Sequence, residues 1–212
     1  MNDTVKKTME ALEKNNMSAY YVETKEEVVP LVETLIKEGD TVAVGGSMSL
    51  FESGVIDFLR CGKYNFLDRY REGLTPDEKL QIYCDSFSAD AYFCSSNAVT
   101  EDGALYNVDG NSNRVAAIAY GPSNVIMIVG VNKIVKDIDE AVLRVKRIAS
   151  PLNCKRLSLD TYCAKMGHCV KNDTSFEGCS SPDGICCTRV ITGRQRKPGR
   201  IKVVFVGESL GY

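Results

Sequence analysis

The absences in this chain sort it before its motifs do. It has almost no excess charge: the net value is −2, so no global field draws it toward nucleic acid or an anionic membrane surface. It has no long hydrophobic run. Its longest apolar stretches, such as VIMIVGV at 125–131, are strand-sized and too short to span a bilayer. Its first residues, MNDTVKKTMEALEKNN, are polar and periodic and lack the apolar stretch of a signal peptide. Histidine is nearly missing, with His168 alone. No fixed-period repeat or low-complexity linker precedes Pro151. The lysine and spacing of a P-loop are missing, and so is G-x-G-x-x-G. With 44% hydrophobic and 25% charged residues, what remains is an ordinary globular composition. We therefore expect a cytoplasmic protein with no membrane span and no nucleic-acid partner.

Cysteine is the exception. Five of the nine cysteines and the one histidine fall in CAKMGHCVKNDTSFEGCSSPDGICC, from Cys163 to Cys187. Thiols in a reducing compartment stay reduced, so such a cluster favours a metal site over disulfides. Nine is odd, which leaves at least one thiol unpaired within a monomer. Four thiolates can close a tetrahedral zinc site or ligate an iron–sulfur cluster. The run Cys163-x5-Cys169-x9-Cys179-x6-Cys186 is looser than either usual spacing. Unliganded thiols remain the other reading. Cys61, Cys84, Cys94 and Cys154 are scattered among apolar residues and are expected to act as small buried hydrophobes.

Periodicity predicts alternating helices and strands. A helix is expected over 3–15, then a strand at SAYYVE and a helix opened by a Thr24/Glu27 capping box, with Pro30 inside it. TVAV, YNFLD, DAYFC, GALYNVD, NVIMIVGV and the terminal RIKVVFVGESLG read as strands. Helices are expected at 50–59, from Thr75-Pro76 to about Phe87, at VAAIAYG, and from Asp137 to Ala149, closed by Pro151. This alternation predicts an α/β fold with a mostly parallel sheet covered on both faces. The expected division is one domain over 1–153, with 154–212 a cysteine-rich segment and a strand returning to it.

Two stretches carry candidate chemistry. In TVAVGGSMSLFESG, a buried strand runs into Gly45-Gly46-Ser47 and a helix, a geometry in which backbone and hydroxyls can hold an anion. In SSNAVTEDGALYNVDGNSNR, Asp102-Gly103 and Asp109-Gly110 are hairpin signals. Turn chemistry leaves Asn97, Thr100, Glu101, Asn113 and Arg114 unexplained. Glu101 would serve as base or nucleophile, and Arg114 as a clamp for carboxylate or phosphate. Lys133, after another strand, reads as a solvated lysine or a ligand contact. The basic stretch GRQRKPGR at 193–200 is expected to be a solvated hairpin tip.

GGSMSLFESG, the segment from SSNAVTEDG through GVNKIV, and ASPLNCKRL with the cysteine tail together resemble the LUD domain of lactate-utilisation proteins. The similarity is strongest to its small cysteine-tailed branch, YkgG-like and related to lactate-utilisation protein C. The resemblance implies a Rossmann-like sheet of the glucosamine-phosphate deaminase, ribose-phosphate isomerase and CoA-transferase superfamily. It implies an anion loop of Gly45, Gly46, Ser47 and Ser49, with Glu101 in an acidic position and Asn113 and Arg114 beside the ligand. It also implies L-lactate oxidation, a small anionic substrate, and iron–sulfur and flavin-type oxidoreductase subunits as partners. A homo-oligomer remains open. The branch usually shows C-x5-C-x2-C-x6-C, which KNDTSFEG lengthens here. Cys163, Cys169, Cys179 and Cys186 hold the four ligand positions for zinc or an iron–sulfur cluster.

Overall fold

The structure is a computed structural model describing residues 1–212. Ten strands divide between two sheets. They are β1 (Ser18–Val22), β2 (Thr41–Val44), β3 (Asn65–Leu67), β4 (Ala91–Cys94), β5 (Ala98–Thr100), β6 (Leu105–Asp109), β7 (Val125–Gly130), β8 (Ile134–Val135), β9 (Thr188–Thr192) and β10 (Ile201–Val206). The main sheet has the order β1-β10-β7-β4-β2-β3, with every neighbouring pair parallel. The last strand, β10, therefore enters the interior of the sheet, between the edge strand β1 and β7.

Strict alternation along these strands feeds two cores. Val42, Val44, Phe93, Ile126, Ile128, Val204 and Val206 face one way. Ala43, Tyr92, Cys94, Met127, Val129, Val203 and Phe205 face the other. Each fully buried Val, Ile or Phe contributes roughly 1.5–3 kcal/mol relative to exposure, so a strand buried on both faces reads as a nearly unbroken apolar run. Helices α2 (Val28–Glu33), α3 (Met48–Glu52) and α4 (Val55–Leu59) cover the first face with Val28, Val32, Leu50, Val55 and Leu59. Helix α1 (Asp3–Lys14), capped by the Asn2 side chain accepting from Val5 N–H, lays Val5 and Leu12 on the second. Helix α6 (Asn113–Ala119) joins it there with Ala117 and Ile118.

The smaller sheet, ordered β8-β5-β6-β9, stands beside the main one. Its β5–β6 hairpin turns at Asp102-Gly103, as its sequence predicts. Asp109-Gly110 makes no hairpin; it leads into α6, because β6 pairs instead with β9. Residues 193–200 are likewise a crossover between sheets and not a hairpin tip, since β9 and β10 lie in different sheets.

Local chemistry explains the other departures. The helix expected over 50–59 starts earlier and breaks at Gly54, whose φ of 71° is left-handed. The Thr24/Glu27 box does not form: Glu27 accepts from the Glu23 N–H, one residue before the cap, and Thr24 caps nothing. The full box falls on α5 (Pro76–Asp85), where Thr75 and Glu78 bond reciprocally. Pro151 does not end its helix. α7 (Ile138–Arg144) passes through a π turn at Val145–Ala149 into α8 (Ser150–Arg156). That turn displaces the bonding frame, so a residue without an N–H is accepted in the first turn of α8.

Candidate functional site

Outside the carboxyl ends of β2, β4 and β7 lies a cleft of about 690 Å³. Open parallel sheets place ligands there because strand ends supply loops without disturbing the core. Gly46 and Ser47 come from the end of β2, Ser95 from β4, and Lys133 from the 3₁₀ turn after β7. Arg69, Lys79, Arg114, Lys133 and Arg156 face the cleft against two carboxylates, Asp109 and Asp183. The wall is cationic although the protein is nearly neutral.

The two glycines of the β2 loop differ. A Cβ on Gly45 would meet Arg114 Cγ and the Tyr92 hydroxyl, each at 2.9 Å. Gly45 is thus required by its own neighbours, and it does not line the cleft. A Cβ on Gly46 would find only Arg69 and the Tyr70 hydroxyl, both at 3.9 Å, and Gly46 is exposed. Arg69 follows β3. It donates from Nη2 to the Tyr83 hydroxyl at 2.8 Å, and its guanidinium lies 4.7 Å from the Tyr83 ring centre and 5.5 Å from that of Tyr70. Its Nε is buried and has no hydrogen-bond partner. A buried guanidinium N–H without an acceptor is costly and rare.

Arg114 presents the opposite case. Nη1 donates to Ser95 O and to Asn107 Oδ1 at 2.6 Å; Nη2 donates to Asn97 Oδ1 and to Val108 O at 2.8 Å. Its Nε lies 3.9 Å from the Asp109 carboxylate. Both terminal nitrogens of the fork are thus committed, through four hydrogen bonds, to the chain's own acceptors. Arg114 therefore ties the β4–β5 loop to the end of β6, and its two terminal nitrogens are occupied within the chain. Asn97, whose Oδ1 also accepts from Val108 N–H, is part of the same brace. Asn113 lines the cleft with Asn111.

Lys133 is buried, not solvated. Its Nζ donates to Ser49 Oγ at 2.8 Å and Ser95 Oγ at 3.1 Å. Burial, reinforced by the nearby charges of Arg144 and Arg114 and opposed by Glu52, brings its pKa down to about 7. Arg144 donates to Asn97 O and Asn132 O from beneath, and burial lowers its pKa to about 10.

The structure does not bring Glu101 to this cleft. The hairpin carries Glu101 to a separate groove beside Asn2, Val5 and Lys136, where it pairs with Lys7 at 2.7 Å. Thr100 is buried and serves the hairpin turn, accepting from Ala104 N–H and bonding Asp102. The antiparallel pairing of β5 with β6 turns both residues away from the strand ends that build the cleft.

Nor do the cysteines form a closed site. Cys163 is buried with its thiol 3.5 Å from the Thr161 hydroxyl, and the Cys186 thiol lies 3.0 Å from the Ser150 hydroxyl. Cys169 and Cys179 are half-buried. No three Cys, His, Asp or Glu side chains gather around one point. As arranged, Cys163, Cys169, Cys179 and Cys186 do not fit a four-thiolate zinc or iron–sulfur site. The inserted KNDTSFEG is held elsewhere: Lys146 Nζ bonds Asp173 and Ser175 O, and Arg147 bonds Asn172. Cys94 and Cys154 are buried as expected, but Cys61 and Cys84 are exposed.

Sequence reasoning missed Arg69, Tyr83 and the tail residue Tyr212, whose hydroxyl is also buried in the cleft wall without a partner. The one available signal is position, since Arg69-Tyr70 lies two residues beyond a strand of the parallel sheet.

A mostly parallel α/β sheet with a cleft at its strand ends defines a Rossmann-like domain. The LUD domain family model matches residues 5–206, and the chain belongs to that family. A crystal structure of a DUF162 family protein from Deinococcus radiodurans shares the fold: 13% identity, 96% of each chain covered, TM-score 0.50. Two more distant similarities are eIF2B beta from Chaetomium thermophilum (16% identity, 57% of this chain and 42% of that one, TM-score 0.38) and a malonate decarboxylase alpha subunit from Acinetobacter baumannii (14% identity, 63% and 33%, TM-score 0.34). No curated protein matches the chain.

Proposed function

We propose that the protein binds a small carboxylate or phosphate in this cleft and acts as a component of L-lactate utilisation. The observation that carries the anion site is Arg69: a buried Nε without an acceptor, beside an exposed glycine, in a cationic cleft. A planar guanidinium offers paired donors to a carboxylate or phosphate, and each charge-assisted bond is worth roughly 1.5–3 kcal/mol. Stacking against Tyr83 and Tyr70 fixes the fork before the ligand arrives, so little ordering entropy is lost on binding. Gly46 leaves room for the ligand to approach the loop, and Ser47 adds a hydroxyl. Family membership is what connects this site to lactate.

Oxidising lactate to pyruvate releases two electrons, and on this reading iron–sulfur and flavin-type partner subunits accept them. Calorimetric titration with L-lactate, pyruvate and inorganic phosphate tests the site: saturable binding is expected in the native protein and at least roughly tenfold weaker binding in Arg69→Met. Equal affinity in both would refute it. Co-purification with oxidoreductase subunits tests the assembly.

The cleft volume favours a second reading. About 690 Å³ suits a drug-sized ligand better than a three-carbon acid. A sugar phosphate or an acyl substrate, handled by isomerase- or CoA-transferase-like chemistry, would fill it. Tighter binding of ribose 5-phosphate than of lactate in the same titration would select this reading.

A further inference from the structure

The surroundings of Lys133 point beyond anion binding. The hydroxyl hydrogens of both its partners are committed elsewhere: Ser49 Oγ donates to Leu210 O at 3.3 Å, and Ser95 Oγ donates to Ser96 O at 3.3 Å. Both hydroxyls must then accept from Nζ. A neutral amine has two N–H bonds, and this cage accommodates both. An ammonium would carry a third N–H, and no carboxylate is among the lysine's hydrogen-bond partners. The charges facing it from the surrounding elements are Arg144 on α7, Arg114 on α6 and Glu52 on α3, so two cations oppose one anion. The tail closes over the amine: a Cβ on Gly211 would lie 3.3 Å from Nζ and 2.8 Å from Ser49 Oγ. Gly211 is held there by its N–H donating to Glu52 and its carbonyl accepting from Asn132. Geometry and charge both make loss of the ammonium proton easy near neutral pH, which exposes the nucleophilic lone pair in a residue that lines the cleft.

We propose that Lys133 is a catalytic amine that forms an imine with the carbonyl carbon of an anionic keto compound, a 2-keto carboxylate or a keto sugar phosphate, whose charge is held at Arg69. This rests on the anion-binding reading above. The Nζ lone pair forms the new C–N bond while the carbonyl π pair moves to oxygen. That oxygen takes a proton from the amine, giving a carbinolamine. Loss of water, with a second proton taken up by the departing oxygen, leaves the protonated imine. No oxidant or reductant is consumed. The serine pair that held the amine's hydrogens remains to accept from the iminium N–H.

The test is reductive trapping in the full-length protein. Pyruvate and dihydroxyacetone phosphate are incubated separately with the protein and cyanoborohydride, and the products are mapped by peptide mass spectrometry. One reduced adduct on the Lys133 peptide is expected from at least one compound. It should be absent from Lys133→Met and roughly tenfold weaker in Arg69→Met. Its yield should rise as the pH passes upward through about 7, where the amine loses its proton. Adduct from pyruvate alone assigns a carboxylate ligand; adduct from the sugar-phosphate analogue alone assigns a phosphate one. Calorimetric binding without an adduct at Lys133, or labelling spread over surface lysines and unchanged in Lys133→Met, overturns the imine and leaves the anion site standing. No binding of either compound overturns both. Peptide mapping of the native protein decides the matter even if a variant fails to fold.

Discussion

The Lys133 amine lies 2.8 Å from the Ser49 hydroxyl, 84 positions away in sequence, and no carboxylate bonds to it. That pairing has a thermodynamic signature. The folded pKa of about 7 lies below the unfolded value of about 10.4. Between these values the unfolded chain binds more protons than the native one, so this residue's contribution to stability rises with pH over that window. Below about pH 7 both states are protonated and the penalty is complete. Lys133→Met, which removes the charge but loses two hydrogen bonds, should stabilise the protein by roughly 2–4 kcal/mol below that pH. The gain should fade toward pH ~10. Thermal melts across pH check it; a variant that melts lower at every pH contradicts the buried-amine account.

Arg69 should matter little to folding. Its Nε is unsatisfied, and its one side-chain bond is to Tyr83. Arg69→Met is expected to shift unfolding by no more than about 1 kcal/mol, because loss of that bond is offset by removal of an orphaned donor. A severe loss in chemical denaturation would make Arg69 a structural brace.

Arg114 should behave oppositely. Arg114→Lys keeps the charge but cannot make the four bonds of the fork, which leaves Asn107 Oδ1 and Val108 O without a donor. Roughly 3–5 kcal/mol of stability should be lost in denaturant titration. A loss below about 1 kcal/mol would mean that the brace is dispensable.

For Glu101, the expectation from sequence is that of a base or nucleophile, and the structure removes it from the cleft. Glu101→Gln should leave anion binding unchanged. It should cost less than about 1 kcal/mol, since its partner Lys7 is solvent-exposed. An affinity drop by calorimetry would restore Glu101 to the site.

The inserted loop should respond to Lys146, a buried amine whose acceptors all lie in that loop. Lys146→Met should accelerate amide hydrogen exchange over 171–178 and leave β7 and β10 protected. Uniform acceleration would indicate global destabilisation.

Much of the fold is legible in the sequence because the buried parallel strands carry continuous apolar runs, and VIMIVG and IKVVFV cannot be misread. The short strands β5, β8 and β9 are not legible: Ile134–Val135 is two residues long, and β9 exists only through pairing with β6. At the site, GGS marked a loop whose Gly46 and Ser47 line the cleft. Its first glycine, however, answers to Arg114 and Tyr92, a contact no local pattern encodes. Arg114 and Lys133 were singled out by position, but their roles depend on partners brought together by folding. Four internal hydrogen bonds made one a brace, and burial lowered the pKa of the other to about 7. Cys61 and Cys84 show the same limit, since their apolar flanks do not bury them.

The most direct measurement is calorimetric titration of the native protein and Arg69→Met with pyruvate and with inorganic phosphate. The account predicts one saturable site in the native protein, weakened at least roughly tenfold in a variant that melts normally. Identical titrations from both proteins would contradict it.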